Sequence, residues 1–369
     1  MHTSLEQADM RPAAGRLATI PVVEVAPGAH VQHAVESRER AQALRDDCLA
    51  WLPSAARLAL PAIDATTRSW LKRSASPYVA EIAAIAKVLD YPGIWFLNGC
   101  YQWGCTALAR EEEGTPWLAR TLDWPFPGLG RHVEIARTRG PAGPFDMVTW
   151  PGFVGILTAS APGRFAASIN QAPLRRRTRH PWLRSCDIAL NAIETARIRF
   201  MPPDHLLRDV FEKCESFPQA RARLETTPVA RPAIYTLVGC RRGERCVIER
   251  TEQGFDTHED DTATANDWQR QRAEWEARIS SRYMFVRTYE EAAERNLSRK
   301  RGLAGWPGAF ARDSFAWVTA PVLNPFTRIA VEMCPQKGIL RAVGYETPPA
   351  AELAEPVTQP CEVTAAIAA

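Results

Sequence analysis

The side chains best suited to chemistry in this 369-residue chain lie in one segment, residues 97–126, with the sequence LNGCYQWGCTALAREEEGTPWLARTLDWPF. Within it, Cys105 follows Gly104 and opens an apparent strand, CTALAR. The polar turn EEEGT leads into a second apparent strand, PWLARTLDW, which carries Arg120 and Asp123. One hairpin would therefore bring together a nucleophilic thiol, a fixed positive charge and a carboxylate.

The hairpin by itself only suggests a catalytic site. Side chains alternate along a strand, so Arg120 and Asp123 face opposite sides unless the strand ends or bulges at Asp123. A cysteine in a strand is usually a small buried apolar residue, and an arginine near an aspartate is usually a surface pair. The residues alone therefore favour a purely structural hairpin.

Other catalytic signatures are missing from the sequence. It contains no GxSxG elbow, no GxxxxGK[ST] loop, no GxGxxG after a strand and no kinase signature, which removes the main support for serine hydrolases, nucleotidases and dinucleotide enzymes. The seven histidines lack HxxxH and HExxH spacing, and the nine cysteines form no CxxC pair. We therefore expect no metal, no cofactor and no disulfide framework, and a cysteine that matters here would act as a nucleophile.

Composition and charge bound the class of protein. The chain has 45 basic and 42 acidic residues, a net charge of +3, so we expect no nucleic-acid partner. A hydrophobic content of 46% and a charged content of 24% are typical of a folded globular protein. No apolar stretch of a secretory signal and no run of 18 apolar residues is present, so the expected location is cytoplasmic.

The elements that must position the hairpin are predicted from hydrophobic spacing. Residues 36–60 and 61–90 have apolar residues at three- and four-residue intervals, which predicts a mainly helical amino-terminal third. After residue 95, short strands are expected between Gly/Pro turns, at PWLARTLDW, RHVEIARTR, DMVTW, FVGILTAS and RFAASIN. Helices interleaved with runs of strands favour an α+β fold.

The same spacing predicts the second half of the chain. A helical block is expected at 181–226 and a further helix at 268–298. Strands are expected at AIYTLVGC, RCVIERT, DTATAN, SFAWVTAPV, TRIAVEMC and GILRAVGYE. The Ala/Pro/Glu-rich tail, residues 348–369, is predicted to be disordered.

The hairpin and its surroundings resemble the linear-amide hydrolases of the amino-terminal nucleophile class, which include acid ceramidase, N-acylethanolamine acid amidase, bile salt hydrolase and penicillin V acylase. The resemblance begins with the Cys-Thr pair at 105–106 and the later Arg-x-x-Asp at 120–123. Upstream it includes PYVAEIAAIAKVL and WFLNGCYQWGC; downstream it includes RFAASINQ, CVIERT, TATANDW and SSRYMFVR. These ordered matches span about residues 77–333, and their order is more specific than any one of them.

This resemblance implies that Cys105 becomes a new amino terminus by cleavage after Gly104. Such a residue carries both nucleophile and base, because its own α-amine, with a pKa of ~7.7–8.0, can accept the thiol proton. Asp123 would orient the α-ammonium or the thiol, and Arg120 would lower the pKa of the thiol and balance the carboxylate.

The remaining site residues also follow from the resemblance. Asn266, through its side-chain amide, and a backbone N–H near Asn170 would stabilise the oxyanion, each by roughly 3–4 kcal/mol. Arg282 would pin Asp123 or one end of the substrate. Arg278 and Arg287 are nearby alternatives for that role.

The implied fold is a four-layer αββα sandwich with an amino-terminal helical pro-segment. Residues 1–104 would form the small subunit and residues 105–347 the catalytic domain, and the cleaved fragments would stay associated because the helices expose too much apolar surface alone. The implied reaction is hydrolysis of a small-molecule N-acyl amide through a thioester. Lipid amides such as N-acylethanolamines or ceramide-like molecules are the best substrate class, and this class allows peripheral contact with a membrane.

Two alternatives remain open at this stage. In one, the chain stays uncleaved and Cys105 is served by His132 or His180. In the other, the chain is a non-catalytic binding protein on the same scaffold, with the arginine-rich run at 175–180 as a contact for anions. That run is otherwise a solvated loop.

Overall fold

The computed structural model describes residues 17–100, 104–178, 180–278 and 288–365 and has a mixed α/β fold with two large β-sheets. The helices are α1 (His30–Glu36), α2 (Arg38–Ala50), α3 (Ser54–Leu58), α4 (Leu60–Arg73), α5 (Val79–Leu89), α6 (Ile94–Leu97), α7 (Arg184–Arg197), α8 (Pro203–Lys213), α9 (Phe217–Thr226) and α10 (Tyr289–Ala304). The strands are β1 (Val22–Glu24), β2 (Gly104–Glu112), β3 (Thr115–Asp123), β4 (Glu134–Gly140), β5 (Gly143–Thr149), β6 (Thr158–Ala161), β7 (Phe165–Gln171), β8 (Leu174–Arg175), β9 (Ala233–Val238), β10 (Arg245–Arg250), β11 (Phe255–His258), β12 (Thr262–Thr264), β13 (Trp275–Glu276), β14 (Thr327–Cys334), β15 (Ile339–Glu346), β16 (Glu355–Pro356) and β17 (Cys361–Thr364).

Two sheets carry most of these strands. In the described part of the chain, the larger sheet has the order β1-β4-β5-β6-β7-β9-β10-β11. The second has the order β12-β2-β3-β14-β15-β16, and β17 also pairs with β15. The pair β1–β4 is parallel, and the neighbouring β4–β5 pair is antiparallel. The short strands β8 and β13 form a separate pair.

The predicted hairpin is confirmed as β2 and β3. Their register places Gly104 opposite Asp123 and Cys105 opposite Leu122. Gly114, with φ of 79°, lies in the turn, where a residue with a side chain would be strained. Strand β12 flanks β2 and strand β14 flanks β3, so the hairpin occupies the interior of its sheet.

The hairpin is covered on both faces. Strands β2 and β3 contact β7 and β9 of the larger sheet, whereas α10 contacts β2 and β12. Because both faces are buried, the hairpin is apolar along most of its length, including the fully buried Leu108, Leu118 and Leu122. A polar side chain here is therefore held away from bulk water and must find its partners within the protein.

The helical amino-terminal third is also confirmed. It is preceded by β1, a short strand the sequence did not predict, which pairs with β4. In α5, Ile82, Ile85 and Leu89 recur at helical spacing and are buried in one apolar core together with residues of both sheets. Among the described residues, no helix combines the length and apolar character needed to span a membrane.

The disordered tail predicted from residue 348 is wrong for residues 348–365. Strand β17 pairs with β15 along its length, from Cys361 opposite Ala342 to Thr364 opposite Ile339. Val363 is buried against that sheet with an exposed fraction of 5%. The Ala/Pro/Glu composition concealed this strand because only one of its four side chains is buried.

Two other element predictions need correction. The helix predicted at 268–298 is α10, which begins only at Tyr289, where the Thr288 hydroxyl caps it by accepting from the Glu291 N–H at 3.0 Å. The strand predicted at SFAWVTAPV is a series of turns instead. Its polar groups bind one carboxylate, since Phe315 N and Trp317 Nε1 donate to Glu332 at 2.7 and 2.8 Å.

Candidate active site

Cys105 and Arg120 are in direct contact at the centre of the fold. Arg120 Nη2 donates to Cys105 Sγ at 2.8 Å, and both side chains have an exposed fraction of 0%. Arg120 lies opposite Ala107, two residues from Cys105, so the two side chains are diagonal neighbours on one face of the hairpin. The residue types alone favoured a surface ion pair between Arg120 and Asp123, but Arg120 is buried and binds the thiol instead.

Arg120 is fixed by the larger sheet. Its Nη1 donates to the Leu157 carbonyl oxygen at 3.0 Å and also to the Thr158 hydroxyl. The Cys105 thiol itself lies 3.8 Å from the Ile169 carbonyl oxygen, at the adjoining strand β7. The sulfur and its guanidinium partner are thus held between the two sheets.

Burial and charge act on the thiol in opposite directions. The pKa of Cys105 is raised to about 11, because the effects of burial and of the Asp123 charge together exceed the lowering by Arg120 and Arg299. Arg120 gives the largest opposing effect and also donates a hydrogen bond to the sulfur. In the uncleaved chain the thiol is neutral near pH 7, with two positive charges placed to stabilise a thiolate once one forms.

Asp123 faces the other side of the hairpin, as strand alternation predicts. It forms an ion pair with Arg299 of α10 at 2.9 Å. It also accepts from Asn324 Nδ2 at 2.8 Å and from the Thr327 hydroxyl at 3.0 Å. A bulge in β14 lets Thr327 reach it, because Thr327 pairs with Asp123 while Ile329 pairs with Leu122.

Arg299 connects Asp123 to the backbone of the cysteine. Its Nη1 donates to the Cys105 carbonyl oxygen at 3.1 Å, and its Nη2 donates to Asn266 Oδ1 at 3.1 Å and Asn296 Oδ1 at 2.8 Å. The sulfur therefore interacts with Arg120 on one face of the hairpin, while the main chain of Cys105 interacts with Arg299 from α10.

The structure places Asn266 in contact with the cysteine and Asn170 on the adjoining strand β7. Asn266 Oδ1 accepts from the Cys105 N–H at 2.8 Å, and its Nδ2 donates to the Gln171 carbonyl oxygen at 2.8 Å. Asn170 follows Ile169 on β7, and its Nδ2 donates to the Ala265 carbonyl oxygen at 3.1 Å. Its Oδ1 is buried and has no hydrogen-bond partner among the described residues. Of the five residues predicted to accompany Cys105, Arg120 and Asn266 therefore contact it directly. Asp123 is linked to its main chain through Arg299, and Asn170 adjoins Ile169, whose carbonyl oxygen lies 3.8 Å from the thiol.

The sixth predicted residue, Arg282, lies outside the described residues, as does its alternative Arg287. Sequence reasoning missed Arg299, which holds Asp123 in the structure, and also Asn296 and Asn324. Asn296 and Arg299 are three residues apart on α10, which puts them on one helix face. That spacing was the only local signal, and it is common in helices that do no chemistry.

Neither histidine of the uncleaved alternative pairs with the thiol in the described structure. His132 lies 3.0 Å from Asp47 through Nε2, and His180 stacks on Trp182 at a ring distance of 5.9 Å. Within the described ranges, no group of three or more His, Cys, Asp or Glu side chains is arranged to hold a metal ion.

An apolar cavity of about 70 Å³ lies beside the hairpin. Its walls come from the helices and from the loop after β3, and include Leu49, Leu52, Leu60, Leu97, Trp124 and Phe126. Trp124, in its wall, directly follows Asp123 in the chain. On the α10 side, a second cavity of about 160 Å³ is lined by Asp123, Arg299 and Asn324.

Comparison with known proteins identifies relatives of this chain. It is 27% identical over 186 residues to an N-acylethanolamine-hydrolyzing acid amidase of Oryctolagus cuniculus, covering 48% of this chain and 49% of the relative. It is 27% identical over 214 residues to a probable acid ceramidase of Caenorhabditis elegans, covering 52% of each, and 31% identical over 204 residues to the acid ceramidase of Pan troglodytes, covering 50% of each. The chain thus spans about half the length of the curated relatives it matches.

No protein-family model matches the chain. Among solved structures, the Caenorhabditis elegans N-acylethanolamine-hydrolyzing acid amidase ortholog is similar with a TM-score of 0.47 and 18% identity, covering 63% of this chain and 93% of that one. The matches in sequence make the chain a homologue of acid ceramidase and N-acylethanolamine-hydrolyzing acid amidase, and the resemblance inferred from its motifs is confirmed.

Proposed function

We propose that this homologue of acid ceramidase and N-acylethanolamine-hydrolyzing acid amidase hydrolyses linear N-acyl amides, with Cys105 as an amino-terminal nucleophile. The observation that carries the proposal is the 2.8 Å hydrogen bond from Arg120 Nη2 to a fully buried thiol at the start of a strand. The names of the relatives support amide hydrolysis as the reaction.

The mechanism begins with cleavage of the bond between Gly104 and Cys105. The Cys105 sulfur attacks the Gly104 carbonyl carbon, the C–N bond breaks, and the thiol proton passes to the departing nitrogen. Water then hydrolyses the resulting thioester, which leaves a carboxylate on residue 104 and a free amine and thiol on residue 105. Gly104 has no side chain to obstruct this attack, and it lies opposite Asp123 in the hairpin.

Turnover of a substrate uses the same sulfur with its new amine. The amine accepts the thiol proton, the thiolate attacks the amide carbonyl carbon, and the leaving amine takes the proton as the C–N bond breaks. Water hydrolyses the thioester and releases the fatty acid or other acyl product. Because the released amine stays bonded to Asn266 Oδ1, where the Cys105 N–H is now held at 2.8 Å, its lone pair is kept close to the sulfur.

The oxyanion that forms during attack needs hydrogen-bond donors. We assign this role to the hydrogen of Asn266 Nδ2 that is not donated to Gln171, together with a backbone N–H near Asn170. Preorganised donors of this kind are worth roughly 3–4 kcal/mol each in the transition state. Asp123, held by Arg299, balances the positive charge around the amine.

The apolar lining of the cavity between the helices and the β3 loop supports an apolar group as the acyl half of the substrate. Most of its lining side chains are apolar, and the polar groups among them are those of Arg45, Tyr91, Trp124, Cys48 and Cys100. Leu58, 84% exposed, lies two residues from Leu60 in the cavity wall and offers an apolar contact for a lipid surface. We therefore propose lipid amides as substrates and peripheral membrane contact during their capture.

A four-layer αββα arrangement with residues 1–104 as a cleaved pro-segment is part of the same proposal. The two fragments would stay together, because Ile82, Ile85 and Leu89 of α5 are buried in the common core. Arg208 also forms two hydrogen bonds to Glu81, at 2.7 and 3.0 Å, across the proposed boundary.

Intact mass spectrometry combined with an amidase assay tests this function. We expect two fragments that meet at 104/105 and hydrolysis of N-palmitoylethanolamine, both lost in Cys105→Ala. Cys246→Ala is the matched control, because Cys246 is another fully buried strand cysteine. An active enzyme whose chain stays whole would overturn the mechanism, and a cleaved chain inactive on every N-acyl amide would overturn the function.

A further inference from the structure

A second polar cluster lies next to the candidate active site, around the short strands β8 and β13. Gln171 ends β7 and accepts from Asn266 Nδ2, and β8 begins three residues later. On the other side, the Arg278 N–H donates to the Asn266 carbonyl oxygen at 2.9 Å. The cluster is therefore connected to Asn266 through both of its strands.

One buried carboxylate in this cluster, that of Glu276, is paired with Arg184 and is also influenced by the charges of Arg278 and Arg176. Arg184 Nη2 lies 2.7 Å from Glu276, whose side chain is 1% exposed. Burial raises the pKa of Glu276, and the positive charges of Arg184, Arg278 and Arg176 oppose that rise. The neighbouring Asp187 carboxylate already accepts from Arg177 N, Thr178 N and the Thr178 hydroxyl, at 2.8, 2.8 and 2.9 Å.

The arginines of this cluster have hydrogen-bond donors to spare. Arg184 has an exposed fraction of 7%, and its Nε and Nη1 are buried without a hydrogen-bond partner in the described structure. Arg176 Nε and Arg278 Nε are also buried without a hydrogen-bond partner in the described structure. Burial, with repulsion from Arg231 and Arg184, lowers the pKa of Arg278 to about 9. Buried donors of this kind are costly unless a ligand satisfies them.

The rest of the arginine-rich run is arranged differently. Arg175 lies 3.1 Å from Glu252 and stacks over Trp275, and Arg177 forms an ion pair with Glu194. These two residues are neutralised by exposed or partly exposed carboxylates. Arg176 instead stacks over Tyr289 at 3.9 Å and contributes to the cluster around Glu276. Arg175 and Arg177 therefore form ion pairs outside the cluster, whereas the charge of Arg176 acts on Glu276.

We propose that Arg176, Arg184 and Arg278 bind a small anionic group, a carboxylate or a phosphate, beside the active site. A planar guanidinium presents paired N–H groups that match either anion. The three arginines lie around β13: Arg184 is 2.7 Å from Glu276, Arg176 N donates to the Glu274 carbonyl oxygen at 2.7 Å, and Arg278 follows Glu276 by two residues. Each has an unpartnered buried Nε in the described structure. The anion is either part of the amine half of the substrate or a separate ligand. Only the first source rests on the proposed function.

Inorganic phosphate tests the site itself. Phosphate is expected to raise the melting temperature of the wild-type protein, and Arg278→Gln should abolish that rise, while Arg278→Lys should retain part of it. Arg242→Gln is the matched control, because the Arg242 side chain is 87% exposed and lies 3.4 Å from Glu111, away from the cluster. No rise in the wild type, or an equal rise in Arg278→Gln, would overturn the inference.

A pair of substrates with the same acyl chain separates the two sources. If the substrate carries the anion, Arg278→Gln lowers kcat/KM for N-palmitoyl-phosphoethanolamine at least about tenfold more than for N-palmitoylethanolamine, as one charge-assisted hydrogen bond implies. If Arg278→Gln lowers kcat/KM equally for both substrates, while phosphate still raises the melting temperature of the wild type, the site binds a separate anion. Inactivity on all amides would remove the proposed function and leave the phosphate result standing.

Discussion

Arg299 and Asp123, 176 residues apart in sequence, form a buried ion pair with an Nη1–Oδ2 distance of 2.9 Å. The same guanidinium donates to the carbonyl oxygen of Cys105 and to Asn266 Oδ1. The pair therefore fixes the main chain of the cysteine from α10, while Arg120 fixes its sulfur from β3. Helix α10 thus positions the main chain of Cys105, and strand β3 supplies the positive charge beside its sulfur.

Breaking the Arg299–Asp123 pair should destabilise the protein strongly. Removing one partner leaves a buried charge without compensation, which typically costs about 3–5 kcal/mol. We expect Arg299→Gln and Asp123→Asn each to lower the free energy of unfolding by that order, and the double variant to lose less than their sum. Urea unfolding of the single and double variants, each in a Cys105→Ala background in which the chain is expected to stay whole, measures the free energies for this double-mutant cycle. Additive losses would show that the two side chains are not coupled.

Replacing Arg120 should change the titration of the thiol. Arg120 is the largest influence that lowers the pKa of Cys105, so its removal raises that pKa and reduces the thiolate present at any given pH. We expect the iodoacetamide alkylation profile of Arg120→Gln to move to higher pH and amidase activity to fall about 100-fold. Arg120→Lys keeps the charge and should shift the profile less. A profile identical to that of the parent protein would contradict the assigned role.

The apolar cavity should determine the preferred acyl length. Leu52→Trp places a larger side chain in its wall, so the ratio of kcat/KM for long to short acyl chains should fall by about tenfold or more. Leu353→Trp is the control, because Leu353 is 39% exposed and lies outside the cavity wall. A ratio that stays constant across acyl lengths would place the acyl chain elsewhere.

The hairpin could be predicted from the sequence because its information is local. The EEEGT turn joins two apolar strands, and alternation alone puts Arg120 and Asp123 on opposite faces. The contact between Arg120 and Cys105 also follows once the register is known, since diagonal neighbours lie on one face.

The partners of Asp123 could not be predicted in the same way. Arg299 and Asn324 reach it across 176 and 201 residues, and the Thr327 contact depends on a bulge in β14. No spacing rule connects residues so far apart in the chain. The strand at 361–364 was missed for a related reason, because its register is set by β15 rather than by its own composition.

Acid should destabilise the packing of α1 near α5 and α8 through His30, which is influenced by Glu81 of α5 and Arg208 of α8. Burial, with the nearby Arg208, lowers the pKa of His30 from 6.5 to about 4, an effect that His33 reinforces and Glu81 opposes. The unfolded chain therefore binds more protons between pH 6.5 and 4, so His30 favours the folded state above pH 6.5 and this contribution is lost as the pH falls toward 4.

Urea unfolding of the Cys105→Ala protein at pH 7 and pH 4.5 measures this loss. His30→Gln should reduce the loss of unfolding free energy at low pH by on the order of 3 kcal/mol, which corresponds to the shift in the pKa of His30. His180→Gln is the control, because His180 is exposed and stacks on Trp182. Buried carboxylates titrate in the parent and in both variants, so only the difference between them reports on His30. If the free energy of unfolding falls equally with pH in the parent and in His30→Gln, protonation of His30 does not cause the loss of stability.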